Sequence, residues 1–194
     1  MAESAPKLKL YYFDIYGRAE VIRILLTHAK VEFEDIRVTN EESAKMKAEG
    51  KLEFGQLPVI EKEGHFYPQT AAILRFLGKK FGYYPEDAKQ AYYADSAVDG
   101  VADMVTKAFR GMFETDPEKK KELMTDLVTN YLPFWFGVYE KRLLKNESSK
   151  KHLVGDKYTI ADFAFAAWLF SSIYNEGNER REVLQGVLSS FPTL

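Results

Sequence analysis

The chain has 194 residues, 46% of them hydrophobic and 29% charged, with a formal net charge of -2. That balance suits a globular chain with one substantial core or two small ones, and offers no basic footprint for nucleic acid or a membrane surface. With no cysteine, and with His28, His65 and His152 far apart, it leaves no disulfide framework, no cysteine nucleophile and no expected metal site.

In chain order, "MAESAPKLKL" lacks the apolar core of a signal peptide. No window reaches the roughly 18 apolar residues of a membrane span, so a cytoplasmic location is expected. "LKLYYF" at 8–13 reads as a strand. From Arg18 onward Val21, Ile22, Leu25, Leu26 and Ala29 fall on one helical face. "VEFEDIRV" at 31–38 alternates as a second strand. "NEESAKMKAEG" predicts a short helix, with Asn40 as N-cap, Glu41 and Glu42 in the first turn and Gly50 as the stop. "QLPVIEKEGHFYP" holds two strands around Glu63-Gly64. "QTAAILRFLGKKFG" is a helix capped by Thr70 and ended near Gly82.

Beyond Tyr84 strand signals vanish. Residues 86–113 and 117–145 predict two long helices, the second opening on Asp116-Pro117, an N-cap followed by the favoured first-turn proline. "NESSKKH" is a polar loop, and Thr159 with Asp162 has capping-box spacing ahead of the apolar run "IADFAFAAWLF". The expected fold class is α/β plus all-α, a βαβαββα domain at 1–83 followed by a helical domain at 84–194.

Four features of the first domain carry possible chemistry. Pro58 precedes an apolar strand; a trans bond is a plain strand entry, whereas a cis bond would turn the Leu57 backbone outward, ready to pair with an extended peptide. Gln69 and Thr70 begin a helix, where free N–H groups suit a carboxylate, although Thr70 equally serves as a cap. Arg18 opens a helix against its macrodipole and calls for an anion, either Glu20 or a ligand. Tyr11, Tyr12 and Tyr16 stand at a strand's carboxyl end, where ligands gather in open α/β sheets; each also suits core packing.

In order, spacing and residue type, "YYF…GRAE", "FGQLPV" and "QTAAILRFL" resemble the glutathione S-transferase family. The resemblance continues at "VDGVADM" and "VGDKYTIADFAFAAW", and so covers nearly the whole chain. It implies a thioredoxin-like domain followed by a helical domain. Within the family the chain looks most like the tyrosine-dependent enzymes, closest to the sigma class with its glutathione-dependent prostaglandin D synthases.

The resemblance implies that Tyr12 donates to the glutathione sulfur and that Arg18 supports the thiolate. Tyr11, on the opposite strand face, would then be core. Gln56, Leu57 and Pro58 would meet the cysteinyl part of glutathione, with the Leu57 main chain pairing to it. Gln69 and Thr70 would hold the γ-glutamyl carboxylate. Asp103 matches an acidic residue reaching the γ-glutamyl amine across a homodimer. Thr159 and Asp162 match a structural capping box. Where relatives carry tryptophan and lysine at the glycine end, this chain has "NEESAKMKAEGKLEFGQ", leaving Lys47 or Lys51 to supply the charge. Relatives usually continue past the point matching "SSFPTL" into a segment that helps close the electrophile site.

The implied activity is addition of the glutathione thiolate to small hydrophobic electrophiles, a detoxifying transfer. Ile15, Tyr16, Met104, Ala108 and Met112 are expected around the acceptor. Alternatives are a glutathione-dependent isomerase of the prostaglandin D synthase type and a catalytically weak, crystallin-like relative.

Overall fold

The computed structural model describes residues 7–194; the beginning of the stretch read above for a leader, residues 1–6, lies outside the described residues. The chain divides into two compact units that part between Gly82 and Tyr83.

The first unit is built on strands β1 (Leu8–Tyr12), β2 (Phe33–Arg37), β3 (Val59–Lys62) and β4 (His65–Pro68), in the order β2-β1-β3-β4. β1 runs parallel to β2 and antiparallel to β3, which turns back through Glu63-Gly64 into β4. Helices α1 (Glu20–His28), α2 (Asn40–Ala48) and α3 (Thr70–Phe81) complete it, with α1 packed on α3 through faces such as Ile22, Leu25, Leu26 and Ile73, Leu74, Leu77. This is the predicted βαβαββα order.

Three local expectations change. Along β1, Leu8, Leu10 and Tyr12 are buried while Lys9 and Tyr11 are half-exposed. Tyr11 is therefore not the core tyrosine; Tyr12 is, at 3% exposure. The parity is set by Leu8 and Leu10, four and two residues before Tyr12. The Tyr11 hydroxyl instead donates to Glu61 at 2.5 Å, and burial together with that carboxylate pushes the phenol well above its ordinary value. Thr39, not Asn40, caps α2: its hydroxyl accepts from the Glu42 N–H at 3.1 Å and its own N–H donates to Glu42 at 2.7 Å. Gln69 rather than Thr70 occupies the cap position of α3.

The second unit is helical: α4 (Ala88–Met112), α5 (Pro117–Asp126), α6 (Leu132–Lys145), α7 (Ile160–Ser172) and α8 (Arg181–Leu188). The predicted 117–145 helix is broken by a π-helical turn at Leu127–Tyr131, where the backbone register slips by one residue. α4 packs on α7, and Trp135, Tyr139, Phe165 and Trp168 form an aromatic core with neighbouring centroids 4.4–5.3 Å apart. Tyr139 donates to the Ala97 carbonyl at 2.6 Å and Trp135 to that of Gly100 at 3.0 Å, so the buried polar atoms of the cluster are satisfied.

Candidate active site

Tyr12 ends β1, its carbonyl fixed by the Val38 N–H at 2.9 Å. The chain then loops through Phe13–Tyr16 into a 3-10 turn at Gly17–Ala19. This return brings the Arg18 N–H onto the Tyr12 oxygen, to which it donates at 3.1 Å. A phenol oxygen that accepts from an N–H directs its own proton elsewhere. Tyr12 is thus presented as a hydrogen-bond donor. Gly17 makes the approach possible: its φ is +46°, and a Cβ there would lie 2.6 Å from the Tyr12 oxygen and 2.9 Å from ring carbon Cε1. No side chain fits.

Arg18 also connects this turn to α3, because the Thr70 hydroxyl donates to its carbonyl at 3.4 Å. Arg18, Gln56, Leu57, Pro58, Pro68, Gln69 and Thr70 line one surface depression. The Leu57–Pro58 peptide is cis. Gln69 has φ 71° and ψ 108°, a conformation that costs a non-glycine residue about 1–3 kcal/mol. It stands directly before the first-turn N–H groups of α3, which have no intrahelical acceptors and suit a carboxylate.

The structure therefore groups the predicted residues unevenly. Arg18, Gln56, Leu57, Pro58, Gln69 and Thr70 share the depression, and Tyr12 joins them through Arg18. The Lys51 ammonium pairs with Glu49 at 2.8 Å, which raises it above its ordinary value, and lies 5.9 Å from the Phe66 ring centroid. Lys47 lies along Gly55, the neighbour of Gln56, its Cε 3.0 Å from where a Gly55 Cβ would stand. Ile15 and Tyr16 are 44% and 47% exposed. In the helical unit Asp103 is exposed on α4, Met112 is exposed and Ala108 half-buried. Met104 corrects an expectation: fully buried on the α4 face of Ala94, Ala97, Val98 and Val101, it has no surface for a ligand.

Glu20, offered above as a partner for Arg18, pairs with Arg23 at 3.0 Å. Sequence reasoning passed over Arg23 because it sits inside an apolar helical face; a lone cation in such a face, three residues after an acid, was the available signal. Among the described residues no group of three or more His, Asp or Glu side chains is placed to hold a metal ion, and no helix is long and apolar enough to cross a membrane.

Known proteins resemble this chain along both of its units. The family model described as the glutathione S-transferase N-terminal domain matches residues 8–79, and that of the C-terminal domain matches residues 102–194. Glutathione S-transferase A4 of Mus musculus is 35% identical over 191 residues, spanning 98% of this chain and 81% of the relative. Among solved structures, prostaglandin synthase D of Nilaparvata lugens superposes with a TM-score of 0.76 at 27% identity, covering 97% of this chain and 94% of that one. A glutathione S-transferase of the hookworm Necator americanus, described as monomeric, gives 0.75 at 33% identity, covering 96% and 87%.

Proposed function

The chain belongs to the glutathione S-transferase family, and from that premise we propose how its own residues activate and hold the thiol. The activity is glutathione transfer; what is proposed is the assignment of roles and acceptor. A free thiol has a pKa of about 8.5, so little of it is thiolate at neutral pH. Tyr12 donates its O–H to the glutathione sulfur and favours the thiolate, which attacks an electrophilic carbon. A carbon–sulfur bond forms, the leaving group departs with its electron pair, and the thiol proton goes to solvent. Lowering the thiol pKa by two units requires about 2.7 kcal/mol, within reach of one preorganised donor supported by the Arg18 charge.

Leu57 pairs its main chain with the cysteinyl part, with Gln56 and Pro58 beside it. Gln69 and the α3 N-terminus hold the γ-glutamyl carboxylate. Lys47, which lies along Gly55 beside Gln56, serves the glycine end. The acceptor is a small hydrophobic electrophile, met in the first unit by the exposed Ile15 and Tyr16. The observation that carries this reading is the Arg18 N–H on the Tyr12 oxygen at 3.1 Å, which leaves the phenol proton to a ligand.

Turnover of a chloronitrobenzene acceptor tests it. Tyr12→Phe is expected to lose about 100-fold in kcat while glutathione affinity stays within about threefold; an unchanged rate would count against Tyr12 as the donor. We further propose a homodimer in which Asp103 completes the partner's glutathione site. Sedimentation at the enzyme's working concentration checks this, a monomer with full activity contradicting it.

The class within the family is drawn two ways, toward alpha by relatives such as the mouse A4 enzyme and toward sigma by the likeness to a prostaglandin synthase D. That second likeness supports glutathione-dependent isomerisation as an additional activity. Incubation with the prostaglandin endoperoxide tests it: a prostaglandin D product supports it, and none removes it.

A further inference from the structure

Arg23 lies 7% exposed in the first turns of α1, beneath the loop that joins Tyr12 to Arg18. Its Nη1 donates to the carbonyls of Ile15 and Tyr16, both at 3.2 Å, and to Glu20 at 3.0 Å. Its Nε donates to both Asp35 oxygens at 3.1 Å. The guanidinium carbon stands 5.9 Å from the Tyr12 ring centroid. Nη2 is buried and, among the described residues, has no hydrogen-bond partner. Asp35 is shared with Arg37 at 2.7 Å, and Arg37 reaches Asp14 and the Ile15 carbonyl, each at 3.4 Å.

We propose that Arg23 is a positioning residue for the reaction: by gripping the Ile15 and Tyr16 carbonyls it fixes the 13–17 loop, and with it the Arg18 N–H on the Tyr12 oxygen. The inference rests on Tyr12 being the thiol's donor. Charge alone does not explain the residue. Glu20 and Asp35 already answer its charge, and Arg37 answers Asp35, so little net field remains at the ring. What the site uses is the fork: two carbonyls and two carboxylates met by one rigid plane, which an ammonium does not reproduce. Keeping an unpaired buried N–H is costly for stability, which speaks for a role other than stability.

The test compares the full chain with Arg23→Lys and Asp35→Asn, the second leaving the guanidinium in place but loosening its anchor. In Arg23→Lys the pH profile of kcat is expected to move up by about one unit, with about a tenfold loss at neutral pH and KM for glutathione within about threefold. Asp35→Asn shifts the profile less, in the same direction. Adding Tyr12→Phe to Arg23→Lys costs a smaller factor than it does alone, because the donor is already misplaced. A merely structural residue would lower stability and leave the profile and this coupling untouched. A wild-type profile in folded Arg23→Lys overturns the inference, as does full additivity; if that variant does not fold, a wild-type profile in Asp35→Asn overturns it. Should Tyr12→Phe alone leave the rate unchanged, the thiol-activation reading itself falls. Should Tyr12→Phe lose its hundredfold while the Arg23 and Asp35 variants behave as wild type, only the positioning role falls.

Discussion

Tyr12 and Gly17 compete for one space. Because a methyl at residue 17 would stand 2.6 Å from the phenol oxygen and φ there is +46°, Gly17→Ala must move either the ring or the turn. We expect a kcat loss of about tenfold or more, with stability lowered by about 1–2 kcal/mol, read by steady-state kinetics and urea denaturation. An alanine variant with unchanged kcat would show that the turn tolerates displacement. The proposed thiol donor, Tyr12, was legible only through its motif, since three tyrosines within six residues look alike to propensity. Its burial was legible in a simpler way: Leu8 and Leu10 share its parity, and Lys9 shares that of Tyr11. The Arg18 N–H contact was not legible, because it depends on a loop closing back on the strand.

At the scale of elements, the α7 entry shows how a short signal fixes a helix. Asp162 accepts from the Thr159 N–H at 2.8 Å, the Thr159 hydroxyl at 3.0 Å and the Leu153 N–H at 2.7 Å, tying the preceding loop to the helix start. Asp162→Ala strands these donors, and a loss of about 2–3 kcal/mol is expected in urea denaturation; less than about 0.5 kcal/mol would contradict the assignment. Burial outweighs those hydrogen bonds and pushes the Asp162 carboxyl above its ordinary value. A carboxyl that binds its proton more tightly when folded makes folding take up a proton. Its contribution to stability therefore falls as pH rises from the ordinary carboxylate value through the raised one, and is flat above. Urea midpoints for wild type should decline across that window relative to those of Asp162→Asn; parallel pH curves would contradict the shift. The capping box was readable from Thr159 and Asp162 alone. The break at Leu127–Tyr131 was not, because a one-residue slip in hydrogen-bond register leaves apolar spacing nearly unchanged. α8 went unseen because its short run, "REVLQGVL", carries a glycine and lacks a capping side chain.

At the scale of the molecule, the residues placed around the thiol and the γ-glutamyl carboxylate lie in the first unit. If that depression binds glutathione, the ligand must stabilise the fold that forms it. At a free concentration one hundred times Kd the stabilisation is about 2.7 kcal/mol, or a Tm rise of about 5–10 °C for a chain of this size. A folded chain with no shift at saturating glutathione would favour a structural, crystallin-like relative. The order of elements in the first unit was legible because each strand and helix there carries its own periodicity and punctuation. The acceptor side was far less so: an apolar stripe on α4 reads the same whether it meets a ligand or a core, and Met104 met the core.

The central claim is that Tyr12, held as a donor by the Arg18 N–H, makes bound glutathione a thiolate. Ultraviolet titration of the thiolate in the enzyme–glutathione complex tests this most directly, in wild type and in Tyr12→Phe. The account predicts a bound thiol titrating about two units below the free value of about 8.5 in wild type, and close to that free value in Tyr12→Phe. Superimposable titrations of the two complexes would contradict it.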